Sequence, residues 1–286
     1  FMSRPLIISL RNTFRRKGRL ALTMLTLTLG GAIFIAVLSV RLSLDNTLQD
    51  ALAYNNYDVF LGFDRPYREE LLRDEALAVP GVALAETWGG GGARRVRPQG
   101  GVGDDIRLQA PPSDTQMVQP TLLKGRWLLP DDENAVVLTS NVLADEPDIR
   151  LGDTIRLTIA GKESDWVVVG IAQSLQDQPA AFANQEYFGR LQGGAGRANF
   201  LRIRADSPDP ASHKALAADL ETHFEARGYQ VSQVGTVAEN LEAVEYQFGI
   251  LVALLLVMTV LMALVGGLGL MGTMSINVIE RTWEIG

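Results

Sequence analysis

Cysteine is absent from the 286 residues, and histidine occurs only at His213 and His223. The first absence excludes a thiol nucleophile, a disulfide framework and any cysteine-held metal. The second leaves little room for imidazole chemistry. The two histidines fall on one expected helix, their H-x9-H spacing matches no metal site, and a solvated helix face is their expected place. No G-x-x-x-x-G-K-[ST] occurs, so the chain has no P-loop with which to bind ATP. Serines and threonines are scattered without a nucleophile-elbow sequence, which leaves a hydrolase without its parts. No catalytic residue, metal or cofactor is expected.

Charge is missing from two long stretches. Residues 20–40 and 246–279 contain no Asp, Glu, Lys, Arg or His. About 20 apolar residues at 1.5 Å each cross a hydrocarbon core of roughly 30 Å, so each stretch predicts a transmembrane helix. A cleaved signal is a poorer fit to the first, because its apolar part would be about 7–15 residues long and end in a small-x-small site. This run is longer and closes with "AVLSVRLSL".

Acid is missing from the N-terminus. Arg4, Arg11, Arg15, Arg16, Lys17 and Arg19 precede the first span, whereas the first acid is Asp45. By the positive-inside tendency the N-terminus is cytoplasmic and the region between the spans extracytoplasmic, in a multi-pass protein of the cell membrane. Residues 1–19 read as a basic amphipathic helix on the membrane surface, with Leu6, Ile7, Leu10 and Phe14 on one side, or simply as a basic flank. The remaining 20 basic and all 33 acidic residues net −13, which argues against nucleic acid as a partner.

Between the spans the pattern mixes strands and helices. "YDVFLGF" alternates as a strand does, and "RPYREELLRDEALAVPGV" puts Leu71, Leu72, Ala76 and Val79 at helical spacing until Pro80 and Gly81 stop it. "AVVLTSNVLA" reads as a strand running into a short helix, and "GDTIRLTIA" and "SDWVVVGIAQS" as two more strands. "ANFLRIRAD" and "ASHKALAADLETHFEARGYQV" give strand, helix, strand, with Leu216, Leu220 and Phe224 on the buried stripe. "GGGGARRVRPQGG" reads as a mobile hairpin connection, its arginines less suited to an anion site. The expectation is an α+β extracytoplasmic domain over 41–245, with lobes at about 55–180 and 181–235. The two transmembrane helices extend from it as a stalk.

Near the C-terminus Gly267, Gly269 and Gly272 spell G-x-G-x-x-G, the spacing of a dinucleotide-binding turn. That turn needs a strand before it and an acid about 20 residues after it, whereas here an uncharged run precedes it. A helix-packing surface is the better reading. Gly266, Gly269 and Thr273 share a face, Gly30 and Gly31 offer a similar one on the first span, and small residues let helices approach closely in lipid.

Three blocks resemble one family. "SLRNTFRRKGRLALTMLTLTLGGAIFIAVLSV" is similar to the basic helix and first span of FtsX-like ABC transporter permeases. "LLKGRWLLPDDENAVVLTSNVLADEPDIRLGDTIRLTIAGKESDWVVVGIA" resembles the MacB-like periplasmic core domain. "NVIERTWEIG" is similar to the start of the family's cytoplasmic "ER..EIG" signature, with Trp283 at a position that is often basic. The resemblance implies four membrane helices, an exported domain between the first two, and a partner ABC ATPase, with mechanotransmission as a common mode of action. It implies that Glu280, Arg281, Glu284, Ile285 and Gly286, within a cytoplasmic segment 280–286, begin the coupling to that ATPase. It further implies a second permease protomer or half, the lipid bilayer, and an extracytoplasmic accessory protein or substrate as partners. On this reading the chain is a piece of a longer permease. A two-span receptor with an exported sensing domain is the alternative.

Overall fold

The computed structural model describes residues 17–174 and 178–285, with side chains in the last helix as far as Gly272. The basic segment 1–16 and Gly286 therefore lie outside the described residues. In chain order the elements are helix α1 (Lys17–Tyr54), strand β1 (Val59–Arg68), α2 (Glu69–Leu77), β2 (Val82–Val96) and β3 (Val102–Ala110). Next come β4 (Leu122–Gly125), β5 (Ala135–Thr139), α3 (Ser140–Asp145), β6 (Thr154–Ile159), β7 (Lys162–Ala172) and β8 (Ala180–Ala183). Last are α4 (Gln185–Gln192), β9 (Arg197–Ala205), α5 (Pro210–Ala226), β10 (Val231–Thr236) and α6 (Val237–Ile285). The chain divides into two units: Thr47–Glu242 is the mixed α+β domain, and most of α1 and α6 forms the other.

Local sequence sets several boundaries. The Asp209 carboxylate accepts the Ala211 N–H at the start of α5, where Pro210 fills a first-turn position that needs no N–H donor. Asn184 caps α4 by accepting from Glu186 and Tyr187, and Gly193 ends it at φ 72°. Through the G-x-G-x-x-G residues the backbone is continuous helix, so no strand–turn–helix cradle for a cofactor exists there.

Strand pairing divides the domain. β10, β1, β9 and the first half of β2 lie side by side in an antiparallel sheet. Val59, Leu61, Phe63, Leu201 and Ile203 from this sheet pack with Leu72 and Ala76 of α2 and Leu216, Leu220 and Phe224 of α5. The second half of β2 pairs with β3, β3 with β8, β8 with β5, β5 with β7, β7 with β6, and β6 again with β2. This circuit of six strands closes on itself and removes its own edges, in the manner of a small barrel. Ile106, Leu108, Leu138, Leu157, Ile159 and Trp166 form its core, joined by Val142 of α3 and Phe188 of α4.

The serial lobes expected at 55–180 and 181–235 differ from this arrangement. One core draws on residues 59–85 and 198–224, and the other on residues 93–188. The first strand and the last elements meet because their partners are each other, so the second core is an insertion between them. β2 spans both cores.

The four-glycine run is a second correction. Residues 89–92 are not a loop but the middle of β2, paired to 107–110 of β3. A Cβ at Gly90 would stand 2.7 Å from the Leu108 carbonyl oxygen and 3.2 Å from the Phe200 ring, and one at Gly89 3.0 Å from Phe188. These glycines let the strand leave one sheet and enter the other in close contact with both. The neighbouring arginines are spent on carboxylates. Arg94 pairs with Asp105, while buried Arg95 donates to Glu146 at 2.7 Å and to Asp148 at 2.6 Å. Arg97 adds a second bond to Glu146.

Two outcomes follow. Gly90→Ala should destabilise the domain by about 1–3 kcal/mol through overpacking, whereas Gly91→Ala, with nothing within 4 Å of its added carbon, should stay within about 0.5 kcal/mol of the parent by denaturant unfolding. The hydrogen bond from Arg95 draws the Asp148 carboxyl down to about 2, and Arg97 followed by Arg95 holds Glu146 below the usual carboxylate range. Their contribution is therefore complete above about pH 4–5 and is lost as the pH falls towards about 2. Arg95→Leu should cost about 1–3 kcal/mol at neutral pH, since Glu146 keeps Arg97. The difference from the parent should shrink in acid melts.

Candidate functional site

The apolar helices are the first candidate feature. Met24–Tyr54 and Val237–Gly269 are long and apolar enough to cross a bilayer, and their most apolar windows are only 12% and 6% buried. A core helix of this composition would be enclosed by protein. Here Leu22, Leu25, Ile35, Leu254, Leu264 and Leu268 are exposed, which leaves a surface suited to lipid. Gly30 is buried, and a Cβ added to it would lie 3.9 Å from the Met262 Cβ, so the two helices run close at this point. Gly266 is buried too, whereas Gly31 and Gly269 are exposed. Thr273, Glu280, Arg281, Glu284 and Ile285 continue the α6 backbone, and their side chains lie outside the described residues.

The second feature is the pair of points where these helices join the domain. β1 and β10 are antiparallel neighbours with Val59 opposite Thr236. Four residues link Tyr54 to Val59, and α6 starts directly after Thr236. Both links are tied down by hydrogen bonds. Asn55 bridges to Val118, the Asn56 N–H donates to the Met117 carbonyl at 2.9 Å, and the Gln119 N–H donates to the Tyr54 carbonyl at 3.0 Å. On the other side Thr236 Oγ1 accepts the Glu239 N–H at 3.0 Å and donates to the Glu239 carboxylate at 3.1 Å. This is a threonine N-cap backed by an acid three residues on, and Lys214 pairs with the same acid at 3.1 Å.

Asp58 joins the two links. Its carbonyl accepts the Val237 N–H at 2.9 Å, and its carboxylate accepts the Ala205 N–H at 2.8 Å. His213 Nδ1 stands 3.7 Å from that carboxylate, while Nε2 donates to the Ser207 carbonyl at 2.7 Å. His213 is thus buried, and His223 is bonded to Glu75 at 2.9 Å, so the solvated face expected for both is corrected. The acids that meet them come from elements more than a hundred residues away in sequence, beyond the reach of local spacing. Among the described residues no group of His, Asp or Glu is placed to hold a metal.

On the sheet face away from α2 and α5, Tyr54 and Tyr57 pack with Trp88, Met117, Val118 and Phe200. The Arg202 guanidinium lies 5.0–5.7 Å from the rings of Tyr57, Phe60, Trp88 and Phe200. The end of α1 is thereby held by packing as well as by backbone bonds. Asp58, Tyr54 and Arg202 escape sequence reasoning, because their partners are distant. Thr236 carries a readable signal in T-x-x-E.

A closed strand ring inserted into an antiparallel sheet, with an apolar helix entering at each of two neighbouring strands, defines a domain held between two candidate membrane spans. The chain belongs to the MacB-like periplasmic core domain family, whose pattern matches residues 20–223. It is 25% identical over 171 residues to an uncharacterized ABC transporter permease of Methanocaldococcus jannaschii, a match covering 57% of this chain and 41% of that protein. The chain thus spans less than half the length of this curated relative. Among solved structures it is similar to the periplasmic region of MacB from Actinobacillus actinomycetemcomitans, with 13% identity and a TM-score of 0.47, covering 70% of this chain and 98% of that one. It is also similar to the extracellular domain of the noncanonic ABC-type transporter YknZ from Gram-positive bacteria, with 14% identity and a TM-score of 0.43, covering 62% and 99%.

Removing the α6 cap tests the junction. Thr236→Ala should cost about 1 kcal/mol and speed hydrogen exchange at Ala238 and Glu239. Asp58→Ala should cost about 1–3 kcal/mol, because the Ala205 N–H loses its acceptor.

Proposed function

We propose that this chain is part of an ABC transporter permease and carries movement between a partner ATPase and an extracytoplasmic domain. In this reading the N-terminus is cytoplasmic, as its basic residues favour, and the segment from Glu280 through Arg281, Glu284 and Ile285 to Gly286 begins the contact with the ATPase. The ATPase supplies nucleotide hydrolysis, since the chain carries no P-loop. Movement of α1 against α6 changes the domain, for export or for work on an outside partner. Gly30, Gly31, Gly266, Gly269 and Thr273 supply close packing between the helices or with a second protomer.

One observation carries the reading. Both helices attach to adjacent strands of one sheet through short, hydrogen-bonded links. A stiff attachment of this kind transmits a shift or tilt of a helix to the sheet, whereas a long flexible linker absorbs it.

The test uses the full-length permease with its ATPase. Insertion of two glycines between Asn55 and Asn56 should leave the ATPase bound and the domain folded, but lower the coupled output at least about tenfold, a loosening of roughly 1.4 kcal/mol or more in the working step. Unchanged output, or no ATPase copurifying with the parent, defeats the proposal.

A further inference from the structure

A cavity of about 280 Å³ opens between the last turns of α1, the segment before β4 and the end of β7, lined by Asp50, Ala53, Tyr54, Gln119, Thr121 and Gln173. Its walls are fixed to one another. The Gln119 N–H donates to the Tyr54 carbonyl at 3.0 Å, and the Gln173 N–H donates to the Thr121 carbonyl at 2.8 Å. The site therefore does not depend on side-chain packing alone for its shape.

Its lining is chemically one-sided. Among the described residues Asp50 contributes the one ionised group of the lining, and neither lysine, arginine nor histidine lines the cavity. The Tyr54 and Thr121 hydroxyls and the Gln119 and Gln173 amides add both donors and acceptors. Among the described residues none of these five polar side chains is hydrogen-bonded or ion-paired within the protein. An anion would meet Asp50 without a compensating cation. A divalent metal would find a single carboxylate where calcium takes about 6–8 oxygens. An organic ammonium satisfies Asp50 with a charge-assisted hydrogen bond, and hydroxyl groups on the same molecule use the rest. The volume falls just below the roughly 300 Å³ at which small-molecule sites begin, so the occupant is small.

We propose that this cavity is a binding site for a small polyhydroxylated amine, with Asp50 holding the ammonium and Tyr54, Gln119, Thr121 and Gln173 holding the hydroxyls. The site rests on the cavity alone and needs no ATPase. Because Asp50, Ala53 and Tyr54 belong to α1, an occupant touches the helix and two segments of the domain at once.

The whole chain in nanodiscs of phosphatidylglycerol, a lipid without an amine, is titrated with D-glucosamine and with D-glucose by saturation-transfer NMR. Glucosamine should bind with a dissociation constant on the order of millimolar, as suits a molecule of its size. Glucose should bind at least about tenfold more weakly, and Asp50→Asn should erase the difference. Asp114→Asn makes the same change in charge at a residue that does not line the cavity and should leave glucosamine binding intact. Thr121→Val should weaken both sugars. Equal binding of the two sugars to the parent chain, unaltered glucosamine binding in Asp50→Asn, equal losses in Asp50→Asn and Asp114→Asn, or no transfer from glucosamine at tens of millimolar would each overturn the proposal.

Discussion

Because β1 is hydrogen-bonded along one edge to β10 and along the other to β9, the residue that opens the domain and the residue that caps α6 are cross-strand neighbours. The arrangement at the junction follows from this. Asp58 can serve both helix links only because its carbonyl faces α6 while its carboxylate reaches the β9 backbone. The aromatic packing of Tyr54 and Tyr57 on the opposite sheet face needs the same register, which sets Phe60 across from Arg202. Backbone ladders place the groups, and the side chains then fasten them.

The strand shared between the two cores imposes a different constraint. β2 must leave one sheet and enter another without interrupting its pairing, and the crossing is too close for side chains at Gly89 and Gly90. Beyond the crossing, Arg95 is buried against Glu146 and exposed Asp148, so the far end of the strand is clamped to the segment after α3. Contact with both cores along its length makes β2 the rigid spine of the domain.

The sequence reveals features whose signal lies in consecutive residues. The uncharged stretches of α1 and α6 are compositional, and the stripe of Leu216, Leu220 and Phe224 repeats within one helix, so each is visible locally. The ring of strands is not, because closure depends on β6 finding β2 as well as β7. A run of four glycines reads as a loop, since nothing nearby in sequence announces the Leu108 carbonyl that excludes a side chain at Gly90. His213 and His223 read as solvated for the same reason: Asp58 and Glu75, which meet them in the fold, lie far back in the sequence. The segment after the second apolar run is legible through its resemblance to a family signature rather than through any property of the residues alone.

The position of β1 also sets an order of assembly. Asp58 and the backbone amide it binds at Ala205 are 147 residues apart in the chain, and β10 is made later still. The first strand emerges with neither neighbour present, while the inserted ring contains all of its partners except the second half of β2 within residues 102–183. Loop closure over such a distance is entropically costly and slow compared with local pairing. The ring is therefore the part that can form during synthesis, and β1, with its apolar core face, waits unpaired until the end. That interval is when the chain is most open to a chaperone or to a wrong strand partner.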